Sequence, residues 1–127
     1  MMKKEKIETR NAPAAIGPYS QGIHADGLLF VSGQLPINPV TGEFPSNDIT
    51  DQTKQSLENM KAILAEADCT MDQVVKITVF LSDINDFVAM NEVYSSYFST
   101  PFPARSAFEV ANLPKGAKVE IEAIARK

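Results

Sequence analysis

The segment at residues 73–81 constrains the fold of this chain most, because it is apolar on both faces of a strand. It reads QVVKITVFL, so β-branched residues dominate it and apolar residues stand at odd and even positions alike. A strand of this kind is stable when both of its faces are covered, as in the interior of a sheet. We therefore predict a central strand here and further elements that cover it.

Two amphipathic helices are predicted, one before and one after this strand. Within residues 48–67 apolar positions recur three and four residues apart, and Asp48 or Thr50 can act as the N-cap. A second helix is predicted to begin at Asp83 or Asn85 and to run to residue 98. Its stripe of large side chains is interpreted as core packing and consists of Phe87, Met90, Tyr94 and Tyr97.

The first third of the chain is predicted to form three strands. A short strand at residues 6–9 precedes a loop at residues 11–20 that Pro and Gly residues interrupt. Asp26-Gly27 then lies between two β-prone runs, and this dipeptide favours a two-residue turn. A β-hairpin is therefore expected around Asp26 and Gly27.

Two further strands are predicted after the second helix, at residues 104–110 and 117–125, and the turn-forming residues 112–116 favour a second hairpin between them. This order of elements gives an α/β (α+β) fold, a two-layer sandwich with a mixed sheet and both helices on one face. The other face would expose apolar strand residues to water. We expect it to pack against further copies of the chain in a closed ring.

Length and charge exclude several classes of function. The 127 residues fit a single domain spanning 1–127, and 16 acidic against 12 basic residues give a net charge of −4, which argues against nucleic acid as a partner. Cys69 and His24 are the only residues of their kind, too few for a zinc site or a Ser-His-acid triad. The single thiol and the lack of a long apolar run predict a cytoplasmic protein without a membrane span.

Arg105 is the candidate functional residue of the C-terminal region. Its guanidinium can hold a carboxylate through two parallel hydrogen bonds. Glu120 and Glu122 follow on one face of the last strand. If the second hairpin forms, strand alternation places Arg105 on the face of these glutamates, within one residue pair of Glu122 and one diagonal step of Glu120. The register is open at this point, since a shift of one residue exchanges the faces.

Six short motifs are distributed over nearly the whole chain. They are Gly17-Pro18-Tyr19-Ser20-Gln21, Ser32-Gly33-Gln34, Asn91-Glu92-Val93-Tyr94, Pro103-Ala104-Arg105-Ser106, Leu113-Pro114-Lys115-Gly116 and Val119-Glu120-Ile121-Glu122-Ala123. In this order they resemble the motifs of the RidA-type reactive intermediate deaminases, the YjgF family.

The resemblance implies a chorismate-mutase-like fold, a homotrimer with active sites between subunits, and no cofactor. It implies hydrolysis of enamines and imines, such as 2-aminoacrylate and 2-iminobutanoate, to 2-oxo acids and ammonia. It also implies that Arg105 clamps the substrate carboxylate and that Glu120 positions or activates the attacking water. Tyr19 matches a pocket position at which a hydroxyl can hydrogen-bond substrate or water.

Four weaker assignments to the substrate site follow from the same resemblance. Ser32 matches a second hydroxyl position, Gly33 permits close backbone approach, and Asn91 matches a further polar position. Many relatives have cysteine where this chain has Ala107, so only the backbone of Ala107 can serve the site here. Glu122 is interpreted as a structural or solvated partner.

Two other functions stay open on the sequence alone. Family members are also linked to metabolic regulation, and a cleft with an arginine can bind 2-oxo acids without turnover, which describes a ligand-sensing protein. Endoribonuclease or translation-inhibitor activity has been attributed to some relatives. The acidic balance, the absence of a basic cluster and the single histidine argue against that third function here.

Overall fold

The computed structural model describes residues 3–127, which contain six strands and two α-helices. The strands form one sheet in the order β1-β2-β3-β6-β4-β5. Their bounds are β1 Lys4–Ile7, β2 Gly22–Ala25, β3 Leu28–Gln34, β4 Val74–Leu81, β5 Ala104–Glu109 and β6 Val119–Arg126. The helices are α1 Ile49–Glu66 and α2 Phe87–Tyr97.

The first hairpin forms around Asp26 and Gly27, as predicted. Both residues have positive φ, 53° and 79°, which is the backbone of a type I′ turn. β2 and β3 therefore pair antiparallel from this turn, and β1 adds antiparallel to the other side of β2. β1 spans Lys4–Ile7 rather than the predicted residues 6–9.

β4 lies inside the sheet, between β6 and β5, which confirms the predicted central strand. Ile77, Val79 and Leu81 are fully buried in the hydrophobic core, and Phe80 on the other face is half-buried. β4 pairs antiparallel with β6 and parallel with β5, so the sheet is mixed.

The predicted hairpin between the last two strands is wrong. β6 pairs with β3 and β4, so β4 separates it from β5. The two strands differ in burial. Alternate residues of β6 are buried from Val119 to Ala125, whereas no residue of β5 is fully buried. The apolar strand takes the inner position and β5 takes the edge. Turn-forming residues 112–116 reverse the chain without determining which strand it pairs with next.

Both helices pack on one face of the sheet, which confirms the predicted two-layer sandwich. α1 begins after its N-cap Asp48, whose carboxylate accepts a hydrogen bond from the Asp51 N–H at 3.2 Å. The apolar side of α1 packs on β3 and β6, and α2 packs beside α1. The core therefore lies between the helices and this face.

The opposite face of the sheet carries partly exposed aromatic residues. Phe30 and Phe108 keep 41% and 44% of their surface exposed, and the Phe108 ring packs edge-on against Phe80 with centroids 5.5 Å apart. Covering these rings would remove apolar surface from water and stabilise an assembly. That further copies of the chain cover this face stays a prediction.

The substitution Ile77→Ala is expected to lower the free energy of unfolding by about 2–5 kcal/mol, because it leaves a cavity at a fully buried position. Ile16→Ala is the matched control, since Ile16 is 88% exposed. The control should change the free energy of unfolding by less than about 0.5 kcal/mol. Denaturant titration at one protein concentration measures both, and equal losses would contradict the assigned burial.

Candidate active site

Arg105 lies on the helix-covered face of the sheet. β4 and β5 run parallel, and Arg105 is the register partner of Ile77, which belongs to the core on that face. Its side chain is half-buried and reaches residues of α2. The edge strand thus places the cation between the sheet and the second helix.

Three side chains at the start and along the length of α2 hold the guanidinium of Arg105. Nη1 donates a hydrogen bond to Oδ1 of Asn91 at 2.7 Å. The guanidinium carbon Cζ lies 4.6 Å from the ring centroid of Tyr94 and 5.4 Å from that of Phe87. Both distances are within the range of cation–π attraction.

No acidic side chain in the part of the chain that the structure describes forms an ion pair with Arg105. Across residues 3–127, the one pair of opposite charges within 4.0 Å joins Lys6 and Glu8, at 3.1 Å. A guanidinium has five N–H donors in a planar fork, and the contact with Asn91 uses one of them. A partly desolvated cation with spare donors suits an anion, above all a planar carboxylate.

Arg105 and Asn91 border a pocket of about 370 Å³. Its lining residues are Asn91, Tyr94, Ser95, Phe102, Pro103 and Arg105. We call it the arginine pocket. Its polar and aromatic walls suit a small ligand with one charged end. The sequence did not predict Tyr94 for a site, although its spacing of three residues from Asn91 puts both on one side of the helix.

Glu120 lies on the sheet face opposite to Arg105, so the predicted shared face is wrong. Glu120 is the register partner of Phe80, whereas Arg105 is the partner of Ile77. Phe80 and Ile77 are an odd number of residues apart in one strand and therefore point to opposite faces. The prediction failed because it assumed a direct hairpin between β5 and β6.

The carboxyl group of Glu120 packs over the backbone of Gly33. A Cβ atom at position 33 would stand 3.0 Å from Cδ of Glu120 and would collide with Oε2, so glycine leaves the room that this side chain occupies. Burial raises the pKa of Glu120, and the charge of Glu122 on the same strand raises it further. Glu120 therefore holds its proton more tightly than an ordinary glutamate does.

The other predicted site residues lie in three different environments. Tyr19 is 56% exposed and, together with Gly33, lines a second pocket of about 320 Å³. The Ser32 hydroxyl donates to the carbonyl of Ser20 at 2.5 Å and so ties the loop to β3. Ala107 follows Arg105 on the helix-covered face and packs against the core.

The structure thus divides the predicted site residues into two groups. The arginine group, on the helix-covered face, contains Arg105, Asn91 and Ala107. The glutamate group, around β3 and the loop before β2, contains Glu120, Gly33, Ser32 and Tyr19.

Among residues 3–127, no cluster of three or more His, Cys, Asp or Glu side chains could hold a metal ion. No helix in the same range has the length and hydropathy needed to cross a membrane.

Known proteins resemble this chain over nearly its whole length. The family model described as endoribonuclease L-PSP matches residues 9–127. A RutC family protein of Pyrococcus horikoshii is 57% identical over 124 residues, 98% of each chain. A 2-iminobutanoate/2-iminopropanoate deaminase of Capra hircus is 52% identical over 119 residues, 94% of this chain and 87% of that one. The crystal structure of Escherichia coli TdcF with bound serine has a TM-score of 0.92 and 47% identity, and the match covers 97% of this chain and 98% of that one.

The substitution Glu122→Gln is expected to lower the pKa of Glu120 without restoring its ordinary value, because burial is the larger cause of the shift. Titration of the side-chain carboxyl carbons by NMR measures this, with Glu66→Gln at the end of α1 as the control. A wild-type Glu120 that titrated as an ordinary glutamate would contradict the assignment.

The same shift predicts the direction of a stability change with pH. A raised pKa means that the folded state binds more protons than the unfolded state between the two pKa values. The free energy of unfolding should therefore fall as pH rises through that interval. Glu120→Gln should remove this part of the pH dependence.

Proposed function

Because the chain belongs to the endoribonuclease L-PSP family, which includes the RidA and YjgF proteins, we propose that it hydrolyses small 2-imino acids to 2-oxo acids and ammonia. The 52% identical relative named 2-iminobutanoate/2-iminopropanoate deaminase supports this substrate class. Enamines such as 2-aminoacrylate enter the same reaction once a proton is added to their terminal carbon.

The observation that carries the proposal is the half-buried guanidinium of Arg105, which borders a pocket and lacks an acidic partner among the described residues. A 2-imino acid has a permanent carboxylate next to its reacting carbon. Binding of that carboxylate by Arg105 would fix the reacting carbon relative to the site, which is a large part of what a hydrolytic site must do. The serine bound to the related TdcF has a carboxylate in the same position relative to its nitrogen.

Hydrolysis of the imine requires one water molecule and a group that transfers protons. The water oxygen adds to the imine carbon, and Glu120 relays a water proton to the nitrogen as the C=N bond opens. The resulting carbinolamine bears one hydroxyl and one amino group. Glu120 then relays the hydroxyl proton to the amino group, so that ammonia leaves and the C=O bond forms. No bond to the protein is needed at any step.

The environment of Glu120 supports this role as a proton relay. Its raised pKa brings proton uptake and release nearer to neutral pH, where a relay is most effective. Gly33 leaves space for the carboxyl group, and the hydroxyls of Tyr19 and Ser32 are proposed to hydrogen-bond the substrate or the water. Asn91 is proposed to act in the arginine pocket, and Ala107 through its backbone.

Arg105 and Glu120 of one chain point to opposite faces of the sheet, so we propose that the complete site forms between two copies. The arginine pocket of one copy would face the glutamate group of its neighbour. The exposed aromatic residues Phe30 and Phe108 on the glutamate face supply apolar surface for such an assembly. A closed ring, with three copies as the proposed number, would give each copy one neighbour on either side.

Arg105→Ala is expected to lower kcat/KM about 100-fold or more, mainly through KM, because it removes a charged pair with the substrate carboxylate. Glu120→Gln should lower kcat by about 10²–10⁴-fold with a smaller change in KM, because an amide cannot relay a proton. An amino-acid oxidase can supply the imine, and release of the 2-oxo acid is followed against spontaneous hydrolysis. Arg126→Ala, at the exposed end of β6, is the matched control and should stay within about twofold of the wild type.

Three experimental outcomes would contradict the proposal or favour another function. A kcat/KM that Arg105→Ala left unchanged would contradict it. Binding of 2-oxobutanoate by calorimetry without any imine turnover would indicate the ligand-sensing alternative. Cleavage of RNA that Arg105→Ala abolished would indicate the activity after which the family model is named, although a net charge of −4 suits a phosphate backbone poorly.

A further inference from the structure

We propose that Tyr94 is a positioning residue for Arg105: its aromatic face fixes the guanidinium in the orientation that receives the ligand carboxylate, while its hydroxyl is dispensable. The proposal rests on the function proposed above, because it assumes that a carboxylate occupies the arginine pocket. It assigns a role in the site to a side chain whose sequence pattern predicted core packing alone.

A protein can hold a half-buried guanidinium in place with an acidic side chain or with an aromatic ring. An acidic neighbour would hold it firmly, but it would also occupy the N–H fork and cancel the charge that binds the ligand. An aromatic face attracts the cation through the ring quadrupole and uses none of its N–H donors. Arg105 has this second arrangement, with Cζ 4.6 Å from the Tyr94 centroid.

The ring of Tyr94 is itself held in place by the residues that pack around it. Tyr94 is 4% exposed, and its ring packs against the ring of Phe98 with centroids 4.7 Å apart. One turn earlier on α2, Asn91 accepts a hydrogen bond from Nη1 of Arg105. One helix turn therefore presents an aromatic ring to the guanidinium carbon and a hydrogen-bond acceptor to Nη1. Phe87 lies farther away, at 5.4 Å, and contributes less to this support.

The ring and the hydroxyl of Tyr94 make different contacts. The Tyr94 hydroxyl is buried and has no hydrogen-bond partner among the described residues. A buried hydroxyl without a partner gives the fold no net hydrogen bond, so its removal should cost little. The ring, by contrast, makes both aromatic contacts. Tyr94→Phe and Tyr94→Leu therefore test two different parts of the same side chain.

The experiment compares kcat and KM for imine hydrolysis, and the affinity for 2-oxobutanoate by calorimetry, in these two variants. Tyr94→Phe keeps the ring and should therefore lose much less than Tyr94→Leu in both quantities. Tyr94→Leu should raise KM and weaken 2-oxobutanoate binding about 5- to 30-fold, with kcat changed less than about threefold. Tyr97→Leu, one turn later on α2 and outside the lining of the arginine pocket, is the control and should leave KM unchanged.

A series of fluorinated phenylalanines at position 94 keeps the test decisive if Tyr94→Leu fails to fold. Each added fluorine weakens the negative potential of the ring face while the shape of the side chain stays nearly constant. KM and the dissociation constant of 2-oxobutanoate should rise stepwise along the series, since a packing role alone would not respond to ring electrostatics.

Several results would overturn the proposal. They are equal affinity along the fluorinated series, equal losses in Tyr94→Phe and Tyr94→Leu, or a fall in kcat without a change in KM. A wild-type protein that binds 2-oxobutanoate but hydrolyses no imine would overturn the proposed function only. In that case a stepwise loss of 2-oxobutanoate binding along the series would still support the role of Tyr94.

Discussion

β4 pairs with β6 on one side and with β5 on the other, and the arrangement of the whole sheet follows from this pairing. It fills the centre of the sheet with apolar strands and leaves β5 at the edge. It also determines the face to which each candidate functional side chain on these strands points. Arg105, beside Ile77, meets the helices, and Glu120, beside Phe80, meets the other face. Arg105 and Glu120, which have the main roles in the proposed chemistry, therefore lie on opposite faces of the sheet.

The surroundings of Arg105 and Glu120 differ in ways that suit the different tasks proposed for them. An amide oxygen and aromatic rings hold Arg105, and no acidic side chain among residues 3–127 pairs with it. Glu120 is partly removed from water and lies near the charge of Glu122, so that it releases its proton less readily than usual. A binding cation and a proton-transferring acid need these opposite environments. Because Arg105 and Glu120 of one chain lie on two faces of the same sheet, they do not form an ion pair with each other.

Local patterns in the sequence predicted local structure well. Asp26-Gly27 predicted its turn, the period of residues 48–67 predicted α1, and the apolar run at 73–81 predicted the central strand, because neighbouring residues determine each of these features. The order of the strands could not be predicted, because turn residues reverse the chain without determining which strand it pairs with next. The prediction that Arg105 and Glu120 share a face was wrong for the same reason. Tyr94 was missed because a ring that packs in the core and a ring that supports a cation have the same periodicity. The roles assigned to Arg105, Glu120 and the residues around them remain predictions.

We propose that Arg105 of one copy acts together with Glu120 of another, and mixing two impaired variants at substrate concentrations below KM gives a direct test. Arg105→Ala and Glu120→Gln proteins are co-refolded in equal amounts, and imine hydrolysis is compared with that of each variant alone. A mixed assembly contains sites that combine an intact arginine with an intact glutamate. Random mixing should therefore restore about a quarter of the wild-type activity per site. If the mixture, with co-assembly verified by native mass spectrometry, is no more active than the separate variants, the site does not form between copies and the account is contradicted.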